Sequence, residues 1–259
     1  MTRGAVRLSI ELMIKLLARV LLLLLFASLA GVIIILGYLG FLGKFSKKFG
    51  VGEPLNLGVE YNALDLSIAL KKVGVQVGQL SLGDAMLIDI KYSGQHPLED
   101  TFSAAELTAL ANNSPWKYYP LSQIQIWLNF DNTVEISGFL IGDRLADYLK
   151  ITGEIDGTVT KALVWLSLCK KNIPFYLKGQ VSVENERVDL DLQKVILGNL
   201  AIPQKLIVEN EWDIKSFIEK RIRFVNGLSI QSLLVNEGAV KFVGTLPDQE
   251  MVDGIVGRE

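Results

Sequence analysis

The side chains that most often do chemistry are sparse: the chain carries one histidine, His96, and one cysteine, Cys169. A Ser-His-Asp triad would have to be built on His96, and a histidine metal site would lack a second imidazole. His96 stands in Ser-Gly-Gln-His-Pro, a polar stretch that predicts a solvated histidine in a loop. Cys169 cannot close an internal disulfide, and after the apolar run Ala162 to Leu168 it is expected as a small buried hydrophobe. Carboxylates at Glu99-Asp100 and in Gly142-Asp143-Arg144 fall near the ends of elements, where acids serve as caps or solvated surface. The sequence has no phosphate loop, dinucleotide fingerprint, CxxC pair or EF-hand loop. These residues predict a chain that is not an enzyme, with no catalytic residue, no metal ligand and no cofactor.

The elements explain what the chain does with its length instead. Val20 to Gly43 reads VLLLLLFASLAGVIIILGYLGFLG, without charge or proline. As a helix it would cover roughly 36 Å, more than the roughly 30 Å of bilayer hydrocarbon. The run continues well past Ser28-Leu29-Ala30, too far for a cleaved signal, so residues 20–43 are expected to be an uncleaved transmembrane signal anchor. Residues 1–19 then form a cytoplasmic segment whose Ile10, Met13, Ile14 and Leu17 recur at helical spacing. Residues 44–54 form a basic linker. Arg3, Arg7, Lys15 and Arg19 before the span slightly outnumber Lys44, Lys47 and Lys48 after it. That bias favours a single-pass protein of the cell membrane with its C-terminal domain outside the cytoplasm.

Seven basic residues and one acid lie in the first 48, so the remainder is acidic. An acidic domain is a poor partner for nucleic acid, which demands clustered Lys and Arg. Residues 55–247 are expected to form one α+β domain, with 248–259 a flexible tail. Asn62 caps a helix through Lys72 that Gly74 ends, and Ser103-Ala-Ala-Glu106 is a capping box opening a helix to Ala111. A strand is expected over Leu80 to Tyr92, another over Leu163 to Leu168, and a hairpin over Phe175 to Val183 and Val188 to Ile196. From Glu211 to Val225 the pattern is helical, with Ile214, Phe217, Ile218, Ile222 and Val225 on one stripe, Asn210 as a possible cap and Gly227 as terminator. Trp116, Tyr118 and Tyr119 crowd a proline-flanked loop, fit for an interface or for buried anchoring.

Two hairpins carry the most information. Around loop Phe130-Asp131-Asn132 the apolar positions Ile124, Ile126 and Leu128 face Val134 and Ile136 only if the loop has three residues, with Asn132 left-handed. The same plan is expected around Asn236-Glu237-Gly238, placing Ile230 and Leu234 with Val240 and Phe242. Duplication of a half-unit and a recurring hairpin both fit. Such strands present more apolar face than one four-turn helix covers. The surplus needs further cover: the short helices near residues 64 and 105, another subunit, or lipid.

Leu57 to Tyr61, the Phe-Ser-x-x-Glu-Leu opening at Phe102 to Leu107, the segment Leu197 to Pro203 and the final Gly-x-Leu-Pro at Gly244 to Pro247 resemble motifs of a group of bacterial single-pass membrane proteins. Their outer domains are similar to tubular lipid-binding (TULIP-like) proteins. The resemblance spans about residues 55 to 247 and transfers no catalytic role. It implies a long curved antiparallel sheet wrapped around an amphipathic helix, with an apolar groove that shields an acyl chain. Ile124, Ile126, Leu128, Val134, Ile136, Ile230, Leu234, Val240, Phe242 and Phe217 are the candidate groove residues. The expected partners are the bilayer, a lipid or fatty acyl chain, and, on the competing expectation of a non-catalytic scaffold, another envelope protein.

Overall fold

The computed structural model describes residues 26, 28–38, 52–85, 89–153, 157–168 and 172–254. The approach at 5–19, most of the expected span and linker, Cys169 and the last five residues lie outside them. Residues 28–38 are helical and turn Leu29, Ile33 and Ile35 outward. Among the described residues no helix is long and apolar enough to cross a membrane.

The chain is α+β with a large antiparallel sheet. In its first part, α1 (Ala63–Val73) leads to β1 (Gln76–Gln79), α2 (Leu82–Ala85), β2 (Ile90–Ser93), β3 (His96–Ser103) and α3 (Ala104–Asn112). The middle is β4 (Leu121–Leu128), β5 (Thr133–Ile141), α4 (Gly142–Ile151), α5 (Thr158–Ser167), β6 (Asn172–Glu184) and β7 (Arg187–Leu197). The chain ends through β8 (Leu200–Ala201), α6 (Gln204–Glu209), α7 (Glu211–Phe224), β9 (Ser229–Asn236), β10 (Ala239–Leu246) and β11 (Gln249–Val252).

Strand β6 organises the sheet. Along one edge it pairs with β7; along the other it pairs first with β5 and then, at Val183 and Glu184, with β9. The β4–β5 and β9–β10 hairpins therefore share one edge of β6, and their turns meet: Gly238 lies beside the Leu128 carbonyl and the Phe130 ring. Leu128, Val134, Val235 and Val240 seal the junction between them. The first hairpin has the expected register, Leu128 opposite Val134 and Ile126 opposite Ile136, with Asn132 at φ 64°.

The second hairpin departs from the expected plan. Asn236 pairs with Ala239, leaving a two-residue turn, Glu237-Gly238, with φ of 50° and 76°. Such doubly left-handed turns match the strand twist of tight hairpins. The register moves by one residue, so Leu233 and Val235 face Phe242 and Val240, and Leu234 points outward, 41% exposed. A bulge opposite Val243/Gly244 then returns Ile230 to the inner face.

Two further expectations are corrected by local structure. Leu163 to Leu168 is not a strand: it belongs to α5 and its C-terminal cap, where Leu166 is buried and Val164, Trp165 and Leu168 are exposed. A short apolar run carries no period that separates strand from buried helix, and here the helix wins. The Leu80 to Tyr92 strand is broken by α2 at Gly83-Asp84, where the Ser81 hydroxyl accepts from the Asp84 amide. The stretch from 248 onward is not all a loose tail, because β11 sits between β1 and β2 in a three-stranded sheet.

Candidate functional site

Helix α7 supplies one wall of the candidate groove. Its stripe forms as the periodicity predicts: Ile214, Ile218 and Ile222 pack towards Val188, Leu190 and Phe242, and Phe217 towards Leu166 and Phe175. Asn210 does not cap it; its side-chain amide donates instead to the Leu206 carbonyl at 2.8 Å, closing α6. Polar ties hold α7 across β7. Glu219 accepts the Val188 amide at 3.2 Å, and Lys215 pairs with Asp189 at 3.2 Å and with Glu211 at 2.6 Å. At the start of α6, Gln204 donates to the Leu192 carbonyl.

Between this helix and the inner faces of β5, β6 and β7 lies an apolar cavity of about 190 Å³. Ile214 and Ile218 form its roof, and Val134, Ile136, Leu177 and Leu192 lie among its floor residues. Gly179, among the lining residues, lets the β6 and β7 backbones come close together. A Cβ there would strike the Asp191 carbonyl oxygen and sit 3.0 Å from Leu192 Cα, at the bulge where β6 and β7 shift register.

Of the ten candidate residues, Val134 and Ile136 line this cavity. Ile126 packs beside them. Ile124 is buried with Leu145 and Leu149 of α4; Leu128 and Val240 belong to the hairpin junction; Ile230 and Phe242 pack with Ile222. Phe217 borders a separate cavity of about 220 Å³ with Val159 and Trp212. Leu234 is outside the set because of the register change. The sheet's apolar surplus is smaller than one helix implies: Leu107 of α3, Leu145 and Leu149 of α4, and Leu163 and Leu166 of α5 all join the core.

Other conspicuous residues are structural. Trp116 is 5% exposed, edge-on to Tyr118 at 6.0 Å and tilted against Tyr148 at 5.7 Å, so it anchors rather than presents. Burial pushes the Tyr119 hydroxyl up to about 12. Arg221, in the last turn of α7, lies over the rings of Tyr148 and Phe217, 4.9 and 4.8 Å from their centroids. The i, i+4 spacing of Phe217 and Arg221 marks half of that stack; Tyr148 lies on α4, and no spacing signal reaches it. His96 is not simply solvated: its ring bridges the Val73 carbonyl and the Asp248 carboxylate, each at 2.9 Å. Among the described residues no group of His, Cys, Asp and Glu could hold a metal. No family model, curated protein or solved structure matches the chain.

Proposed function

We propose that this is a membrane-anchored, extracytoplasmic lipid-binding protein that shields part of an acyl chain in the groove beneath α7. The observation that carries the proposal is the apolar cavity between Ile214, Ile218 and the inner faces of β5 to β7. Its volume, about 190 Å³, exceeds the roughly 150 Å³ of a dry cavity known to accept benzene and falls below the roughly 300 Å³ at which drug-sized sites begin. A groove of that size takes the end of an apolar chain, not a whole lipid. The uncharged run from Val20 to Gly43 supports a tether that keeps the groove near its ligand's source. The resemblance to tubular lipid-binding proteins implies the same ligand class.

Mass spectrometry of lipid extracted from the purified full chain, paired with a fluorescent fatty-acid uptake assay, tests this. Copurifying acyl lipid and saturable uptake are expected. A lipid-free chain that takes up no fatty acid, while crosslinking in cells recovers an envelope protein, would replace the proposal with the scaffold function.

A further inference from the structure

Apolar side chains gather on the outside of α5, α6 and α7. Trp212 is 77% exposed and Leu168 72%, with Trp165, Leu206 and Val208 also exposed. Helices α5 and α7 adjoin at their starts. Thr158, at the start of α5, donates its amide to Asp213 at 3.0 Å, next to Trp212. From Thr158 the exposed stripe of α5 runs through Lys161 and Ala162 to Trp165 and Leu168, at helical spacing. On the other side a single residue, Asn210, separates α6 from α7. Exposed hydrophobics scattered singly are ordinary, but contiguous ones mark an interaction surface.

We propose that this three-helix face docks on the bilayer surface, with Trp212, Trp165 and Leu168 inserted at the level of the headgroups and the first acyl carbons. The inference rests on the tether proposed above. Linker residues 44–54 reach at most about 40 Å, close to the diameter of a domain of this size, so any face can meet the membrane. The chemistry of the face then decides which one does. Tryptophan is the side chain that pairs an apolar body with a polar edge and concentrates at membrane interfaces. Charge points to insertion rather than attraction: Lys161, Lys205 and Lys215 are matched in number by Glu209, Glu211 and Asp213, with Lys205 3.8 Å from Glu209 and Lys215 2.6 Å from Glu211, leaving no basic excess for anionic headgroups. Tethering raises the local lipid concentration, so a few inserted side chains suffice.

The test uses the full chain reconstituted into phosphatidylcholine vesicles whose acyl chains are brominated, reading tryptophan emission. Quenching is expected in the wild type, lost in Trp165→Phe/Trp212→Phe and retained in Trp127→Phe, whose indole on β4 is tied to Asn129 at 3.0 Å. Circular dichroism of the double variant should be unchanged, because both rings are outside the core. Unaltered quenching in the double variant, with the chain still in the vesicles, overturns the docking face alone. A chain recovered in the vesicle-free fraction overturns the tether and the docking face together. Concentration-dependent crosslinking between copies through position 212, without lipid quenching, assigns the face to a second copy and also overturns the proposal.

Discussion

Glu250 and Glu135 show how opposite environments act on the same side chain. Glu250, on β11 opposite Tyr92, has its carboxyl pushed up by burial, and burial with the nearby Glu250 charge pushes the Tyr92 hydroxyl up as well. Its folded pKa lies above its unfolded one, so its favourable contribution is complete below the unfolded pKa and is lost as pH rises through the folded value. At neutral pH Glu250 opposes folding. Glu250→Gln should therefore raise the melting temperature at pH 7, with the gain shrinking as pH falls through the raised folded value and gone below the ordinary glutamate range, in thermal unfolding across a pH series. For Glu135, burial works to raise the carboxyl, but hydrogen bonds from Tyr176 at 2.8 Å, Lys178 at 3.0 Å and Asn129 at 3.1 Å outweigh it and hold it low. Its contribution is present above the unfolded pKa and disappears as pH falls through the folded one. Glu135→Gln should cost about 1–3 kcal/mol at pH 7, since it weakens charge-assisted bonds, with the deficit closing under acid in the same series. Gly138 makes a purely steric demand: a Cβ there would collide with Ile124 Cδ1. Gly138→Ala is expected to destabilise by about 1–3 kcal/mol, read as a lower denaturation midpoint at unchanged slope.

The elements written most clearly in the sequence are those whose signals are local. Asn62 accepts from Leu64 and Asp65 while Asp65 accepts from the Asn62 amide, and Gly74 closes α1 at φ 69°. Ser103 and Glu106 form their reciprocal box on α3, with Ser103 Oγ accepting the Glu106 amide at 3.2 Å and Glu106 accepting the Ser103 amide at 2.8 Å. Each of these bonds joins residues a few positions apart, so residue type and spacing suffice to place them. What spacing does not reveal is that Glu106 also takes Lys72 of α1 at 2.7 Å, while Lys72 donates to the Thr101 carbonyl at 2.7 Å. The box is thus a joint between α1, β3 and α3. Ser103→Ala should cost about 1 kcal/mol, the usual loss of a cap. Glu106→Ala should cost more, because it leaves the Lys72 ammonium without its nearest carboxylate, and urea unfolding of the two variants should rank them in that order. Helix α5 and the β9–β10 turn were illegible for complementary reasons. Ala162 to Leu168 is apolar on every side, so its inward face was set by Leu163 and Leu166 finding α4 and the sheet. Loop length at Glu237-Gly238 depended on whether Asn236 belonged to the strand, and one residue decided the facing of Leu234.

At the scale of the molecule, alternation identified the apolar strands, but the long-range pairing of both hairpins along β6 decided how much of that face was left over. Among the described residues α1, α3, α4, α5 and α7 all put side chains against it where one amphipathic stripe was legible, and the candidate residues divide accordingly into core members, the pair at the groove, Val134 and Ile136, and the outward-facing Leu234. Whether that groove is a binding site or a packing gap has a thermodynamic answer. A gap gains from being filled, and a site loses its ligand when filled. Ile214, on the roof, projects from a helix pinned to β7 by Lys215 and Glu219, so a larger side chain there meets the cavity before it can displace the helix. Ile214→Phe should leave the fold intact and add about 0.5–2 kcal/mol of stability, as cavity-filling substitutions do. It should also weaken fatty-acid uptake by about tenfold or more, a loss of about 1.4 kcal/mol per decade. Ile214→Ala should do the reverse on both counts, lowering stability by about 2–5 kcal/mol while leaving room for the chain. A Phe variant that is stabilised yet takes up fatty acid as well as the parent would place the ligand elsewhere and reduce the space under α7 to imperfect packing.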